Sequence, residues 1–190
     1  VLFAGADPIS QTISVLELAV LSNDSERTYV PGQNPMSLLR FSLPPGSREL
    51  QVDANLVGSS VIQVDRGFGI TGAVPPGEHQ FQFSYVIPYN EGTFSFVKSL
   101  PYGARLVRVL VPLSKAIGLS SPQLGESVET DIGTTRYSLL SAFDLPRGTQ
   151  LVVYLNGLRG PTFGERLAWT AEKTRYEFVA PIIVALVAFG

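Results

Sequence analysis

Two Pro-Pro-Gly steps, Leu43-Pro-Pro-Gly46 and Val74-Pro-Pro-Gly77, and a third of similar build, Leu145-Pro-Arg-Gly148, interrupt the chain where apolar runs would otherwise continue. Proline fixes φ at the second position of such a turn and glycine supplies the positive φ that follows, so each step can reverse the chain. Between these and other turn residues, the body, residues 12–160, holds short apolar runs at 13–21, 37–43, 49–54, 60–64, 80–87, 93–100, 106–111, 127–132, 136–143 and 150–155. Runs of that length at that spacing predict a mainly β domain, and these ten fit an antiparallel β-sandwich.

Alternation is clearest in Gln80-Phe-Gln-Phe-Ser-Tyr85, which places Phe81, Phe83 and Tyr85 on one face and Gln80, Gln82 and Ser84 on the other. That is the pattern of a half-buried strand. Thr93-Phe-Ser-Phe-Val97 repeats it with Phe94 and Phe96, and Pro88-Tyr-Asn-Glu-Gly92 between them predicts a hairpin with a cross-strand phenylalanine cluster in the core. Leu106-Val-Arg-Val-Leu-Val111 is apolar on both faces apart from Arg108, as a central strand is, so Arg108 needs a partner or a route to the surface. No charge block divides the body. Residues 112–122 are its weakest point, and a subdivision there stays open beside the reading as one domain.

The two ends read differently. Residues 178–190 carry no charged side chain. As a helix they reach about 20 Å, roughly two thirds of a ~30 Å hydrocarbon core, as an apparently truncated transmembrane helix would. Trp169 and Tyr176, seven apart, share a helical face and suit the membrane interface. Pro181 stands near the start of the run, where a missing N–H is tolerated. Residues 161–190 are therefore expected to form a juxtamembrane segment and one transmembrane helix in the lipid bilayer, with a buried C-terminal helix or strand as the alternative. Residues 1–11 read as an N-terminal extension. Within it Ala4-Gly-Ala6 has the small-x-small form of a signal-peptidase site, which makes the segment either a signal remnant or a plain apolar terminus. A signal remnant would put the β-domain on the extracytoplasmic side of a bacterial cytoplasmic membrane.

Composition removes chemistry. With 14 Lys and Arg against 16 Asp and Glu the net charge is −2, which speaks against nucleic acid as a partner. With no Cys, one Met and one His, there is no thiolate metal site, disulfide or cysteine nucleophile, and a haem or copper would need His79 and Met36, which nothing brings together. Gly67-Phe-Gly-Ile-Thr-Gly72 has the form G-x-G-x-x-G, yet Val-Pro-Pro-Gly follows instead of a helix, so the phosphate cradle is missing. Asp53 and Asp65 lie at strand ends. Glu126, Glu129 and Asp131 are close enough in sequence to weigh a calcium site against a solvated edge. Asn23-Asp-Ser25 matches a glycosylation sequon by form. No catalytic, cofactor-binding or metal residue is assigned, and no cofactor is expected.

Arg27-Thr-Tyr-Val-Pro-Gly32, Leu39-Arg-Phe-Ser-Leu-Pro-Pro-Gly46, Gly67-Phe68 followed by Val74-Pro-Pro-Gly-Glu78, Phe83-Ser-Tyr85 with Pro88-Tyr89, and Leu100-Pro-Tyr102 together resemble a family of bacterial envelope proteins. In that family a signal peptide precedes a carboxypeptidase-regulatory-like or transthyretin-like, Ig-like β-sandwich, and one C-terminal transmembrane helix follows. The resemblance covers about residues 12–190, carries architecture and not chemistry, and brings no catalytic residues. It implies an accessory part of a membrane assembly, such as the quinol-oxidising alternative complex III, with integral membrane subunits as partners. The expectation is thus a non-catalytic, single-pass accessory subunit, with Tyr29, Tyr89 and Tyr102 in loops that contact partners, since tyrosine is enriched at interfaces. The alternative is a membrane-tethered binding module for a glycan or other envelope ligand.

Overall fold

The computed structural model describes residues 1–32, 37–54, 56, 58–64, 66–90 and 92–165. The strands are β1 (Leu2–Asp7), β2 (Thr12–Asn23), β3 (Leu39–Ser42), β4 (Arg48–Ala54), β5 (Val61–Val64), β6 (Gly67–Ile70), β7 (Gly77–Pro88), β8 (Gly92–Leu100), β9 (Ala104–Pro112), β10 (Gly118–Ser120), β11 (Val128–Ile132), β12 (Thr135–Leu145) and β13 (Thr149–Leu158). They form a seven-stranded sheet ordered β11-β12-β9-β1-β2-β7-β4 and two three-stranded sheets, β10-β13-β8 and β3-β6-β5. Pairing is antiparallel except between β1 and β9. The chain is mainly β, as its period of two predicts.

The inward face of the large sheet is built by that period. Ile13 and Val15 on β2, Phe81, Phe83, Tyr85 and Ile87 on β7, and Val107, Val109 and Val111 on β9 are all buried. They meet Phe96 on β8 and Leu151, Val153 and Leu155 on β13 in one core, a sandwich-like packing of sheet on sheet. Phe3 of β1 packs edge-on against Phe96 of β8 at 5.1 Å. Each fully buried residue of this size contributes about 1.5–3 kcal/mol, so the core outweighs any single polar contact described below. Ile117 and Leu124, from the connection between β9 and β11, belong to the same core.

Every expected run overlaps a strand, but the partners differ in one place. Residues 80–87 and 93–100 do not form a hairpin: β7 pairs with β2 and β4 in the large sheet, whereas β8 pairs with β13 in another. Both strands bury their aromatic faces toward the shared interior. Alternation states which face is buried; it is silent on which strand lies beside it. The phenylalanine cluster is accordingly Phe41, Phe68, Phe81 and Phe83, from β3, β6 and β7, with centroids 5.0–5.7 Å apart. Phe94 is only half-buried.

Three strands were not foreseen. β1 falls within residues 1–11, read above as an extension, and lies between β2 and β9; six residues are too few to show a period. β6 coincides with the G-x-G-x-x-G phrase, and all four of its residues are buried. Its glycines serve packing: Gly67 has φ +149 and an added Cβ there would lie 1.9 Å from the Phe41 carbonyl oxygen, while at Gly69 it would press on Leu38 at 2.9 Å. β10 has three residues, below what a pattern search resolves.

Candidate functional site

Two arrangements stand out, one in the interior and one on the outward face of the large sheet. The buried one lies where all three sheets meet. Inward alternation on β2 carries from Ile13 and Val15 to Glu17, a carboxylate at an apolar position. Its companions come from three other strands. Tyr85 on β7 donates its hydroxyl to Glu17 Oε1 at 2.5 Å, and Lys98 on β8 donates from Nζ to the same oxygen at 2.9 Å. Lys98 Nζ also donates to the Ser42 carbonyl on β3 at 2.8 Å and stands 5.2 Å from the Phe83 ring centroid. The Glu17 and Lys98 side chains are only 5% and 8% exposed.

Burial, and after it the neighbouring Glu17 carboxylate, pushes the Tyr85 phenol far above its usual pKa, so it stays a donor. A buried ion pair of this kind adds little net stability over an apolar substitute, but losing one partner strands a charge in the interior. Among the described residues no buried side-chain nitrogen or oxygen lacks a hydrogen-bond partner. The cluster thus spends its polar capacity on tying sheets together.

The other arrangement is the outward face of the large sheet, along which Val128 is exposed and Leu139, Leu110, Leu2 and Leu16 are half-buried. Register aligns Val128 with Leu139, Leu139 with Leu110, Leu110 with Leu2, and Leu2 with Leu16, one residue from each of β11, β12, β9, β1 and β2. The row then turns polar, since Leu16 faces Ser84 on β7 and Ser84 faces Gln51 on β4. Their chain neighbours Phe3, Val15, Val109, Val111 and Leu140 are buried inward, so by alternation the row points outward. A second pair, Phe143 and Leu106, lies along the same two strands, 71% and 41% exposed. Arg108 is exposed between Leu106 and Leu110, opposite Ser141, and among the described residues no ion pair involves it. It takes the surface route, not an internal partner.

The three loop tyrosines separate. Tyr29 and Tyr102 are about half exposed; Tyr29 donates its hydroxyl to the Ser37 carbonyl, and Tyr102 Oη accepts from the Arg40 N–H at 2.8 Å. Tyr89 is a correction: it is 5% exposed, with its hydroxyl donating to the Arg159 carbonyl at 2.8 Å. It anchors the crossing from β7 to β8 and offers no surface to a partner. Burial raises its phenol pKa.

The remaining candidates are held locally. Glu129 and Asp131 pair with Arg136 across the β11–β12 hairpin at 3.8 and 3.3 Å, and among the described residues no group of His, Asp and Glu is placed to hold a metal. His79 donates from Nε2 to the Pro75 carbonyl at 2.8 Å. Asn23 Nδ2, the sequon nitrogen, donates to the Arg27 and Val74 carbonyls, both at 2.9 Å, so its amide is committed to the turn. Asp53 is exposed on β4. Met36, Asp65, Trp169, Tyr176 and the expected transmembrane helix over 178–190 lie outside the described residues, and no helix among the described residues is long and apolar enough to cross a membrane.

Two features were missed in the sequence. Thr162-Phe-Gly-Glu165 is a capping box: Glu165 N donates to Thr162 Oγ1 at 3.3 Å, and Thr162 N donates to Glu165 Oε2 at 2.7 Å. Those bonds from Thr162 hold the Glu165 carboxyl below the usual range. The T-x-x-E spacing was there to be read. The other is the outward row, whose only sequence sign is apolar residues at both parities in 12–23 and 106–111, a pattern equally expected of a strand covered on both faces. No protein-family model matches the chain, and a search of curated proteins finds no match.

Proposed function

We propose that this chain is a non-catalytic, single-pass accessory subunit of a bacterial membrane complex. Its Ig-like or transthyretin-like β-domain stands on the extracytoplasmic side, and a helix from about Gly164 onward enters the bilayer. The observation that carries the reading is the outward row from Val128 to Leu16, exposed at Val128 and half-buried at the other four, because a sheet face left to water carries polar residues and an apolar one calls for a covering surface. Support for the anchor comes from the capping box at Thr162 and Glu165, a helix start placed ahead of the uncharged run 178–190. The resemblance to envelope proteins with this layout favours an electron-transfer assembly of the alternative complex III type as the parent.

The test is purification through a tag on the full chain in mild detergent, with identification of what accompanies it. Stoichiometric recovery of integral membrane subunits is the expected result. A monodisperse lone chain that binds polysaccharide would overturn the reading in favour of a tethered glycan-binding module.

A further inference from the structure

We propose that the end of the β-domain formed by the β1–β2 turn, the β11–β12 turn and the Thr162–Glu165 cap rests on the bilayer surface, with Ile9, Ile132 and Phe163 entering a zwitterionic headgroup layer. The proposal rests on the reading of a membrane anchor and deepens it, from a domain tethered to a membrane to one seated on it by a stated end.

The strands bring these segments to one end. β1 finishes at Asp7 and turns into β2 at Thr12, while β11 finishes at Ile132 and turns into β12 at Thr135. β9 runs parallel to β1 with Leu2 beside Leu110, and Pro112 at its finish stands opposite Tyr137 of β12. Both turns therefore leave the large sheet on the same side, and three strand spacings put them about 14 Å apart. β13 finishes there too. Pro88 of β7 lies opposite Thr12, and the next residue, Tyr89, donates its hydroxyl to the Arg159 carbonyl at 2.8 Å, 3.4 Å from the Asp7 carbonyl oxygen.

The path of the chain names what faces this end. Leu158 is in the core, Arg159 pairs with Glu165 at 3.6 Å, and Thr162 and Glu165 close the capping box, so there is no slack between the body and the helix start. With Trp169 at the interface, as the sequence leads one to expect, four helical residues leave Glu165 about 6 Å from the headgroups. That distance is too short to lift the domain clear. The opposite end, where Val30 follows the Tyr29–Val74 bridge, is farther off by the length of β2, about 36 Å.

The side chains at the near end suit such a surface. Ile9, Ile132 and Phe163 are 46%, 54% and 78% exposed. Arg136 lies between Glu129 and Asp131, Arg159 is paired with Glu165, and the Asp7 carboxylate accepts from Ser10 and Ile9. Lys115 adds one cation and Arg48 is followed by Glu49, so acids are at least as many as bases. Interfacial binding draws on buried apolar area and on attraction of cations to anionic lipid. Here the apolar tips supply the first, and no surplus of cations supplies the second.

The experiment exploits the absence of cysteine from the chain. Full-length Ile9→Cys, Phe163→Cys and Val30→Cys, each carrying one fluorophore, are reconstituted into phosphatidylcholine vesicles. Iodide serves as the aqueous quencher and a headgroup-region nitroxide lipid as the membrane quencher. Labels at 9 and 163 should be quenched several-fold more by the nitroxide lipid than the label at 30, and several-fold less by iodide. Added phosphatidylserine or high salt should change neither result. Thermal melting should stay at the wild-type midpoint, since all three side chains are exposed. Equal iodide quenching at 9 and 30 in vesicle-bound chain would overturn the seating while leaving the anchor standing. Protection from iodide without nitroxide quenching would mean that protein, such as a second copy, covers this end, and would also overturn it. Nitroxide quenching that needs phosphatidylserine would overturn the zwitterionic preference. A wild-type chain that does not float with the vesicles would remove the anchor reading and this seating with it.

Discussion

The Lys98 ammonium lies 2.9 Å from the Glu17 carboxylate, and through that contact β8 of one sheet is fastened to β2 of another. Lys98→Met leaves the carboxylate buried with the Tyr85 hydroxyl as its remaining side-chain donor, and should cost about 3–5 kcal/mol in urea unfolding of the purified chain. Replacing the cluster together, Glu17→Leu with Lys98→Met and Tyr85→Phe, should recover most of that loss. A single Lys98→Met variant as stable as the parent would show that Glu17 finds other compensation.

Tyr89 makes a different kind of tie, from the β7–β8 crossing to the backbone just after β13. Tyr89→Phe keeps the ring in the core and removes only the hydroxyl, so about 0.5–1.5 kcal/mol should be lost. Hydrogen exchange offers the finer check, because amides near Arg159 and Gly160 should open more readily while those of β9 stay protected.

Gly67→Ala should be among the most damaging single changes. Its φ of +149 is a conformation that residues with a side chain avoid, and the new methyl would collide with the Phe41 carbonyl oxygen in the neighbouring strand. A loss of about 3 kcal/mol or more is expected, with the β3-β6-β5 sheet disturbed first. Gly133→Ala is the control: its φ is also positive, at +61, but nothing lies within 4 Å, so backbone strain alone should register.

Asp7 should titrate below an ordinary aspartate, because the Ser10 hydroxyl and then the Ile9 N–H donate to its carboxylate. A carboxyl depressed in the folded state contributes its stability fully above the unfolded pKa, about 3.9, and loses it as pH falls through the lower folded value. The group is exposed, so the effect stays under about 1 kcal/mol. Carboxyl NMR titration reads the midpoint directly; a value at or above that of the unfolded chain would contradict the turn geometry.

What the sequence disclosed follows the range of each interaction. Turns and strand faces are local, so Pro-Pro-Gly at 43–46 and the alternation at 80–85 were legible. Partner choice is not local: Phe96 signals burial, but nothing beside it states that its neighbour is Phe3 of β1 and not Phe83 of β7. Glu17 was passed over because a carboxylate within an apolar run reads as a solvent-facing break, and its counter-charge is 81 positions away. Tyr89 was misplaced because Pro-Tyr-Asn has the chemistry of an exposed loop, while its burial depends on the approach of residue 159.

The position of β1 bears on how the protein is made. It can pair with β2 as soon as both leave the ribosome, yet its other neighbour is Leu110 of β9, near the middle of the chain. Until residues 104–112 are synthesised and seated, β1 shows a bare edge, and a bare edge is what another nascent copy can pair with. The parallel contact must also close a long loop before it returns any stability, which slows the step. Synthesis of the stretch between β2 and β9 is therefore the interval in which this edge is open to a wrong partner, and the one in which a chaperone would protect it.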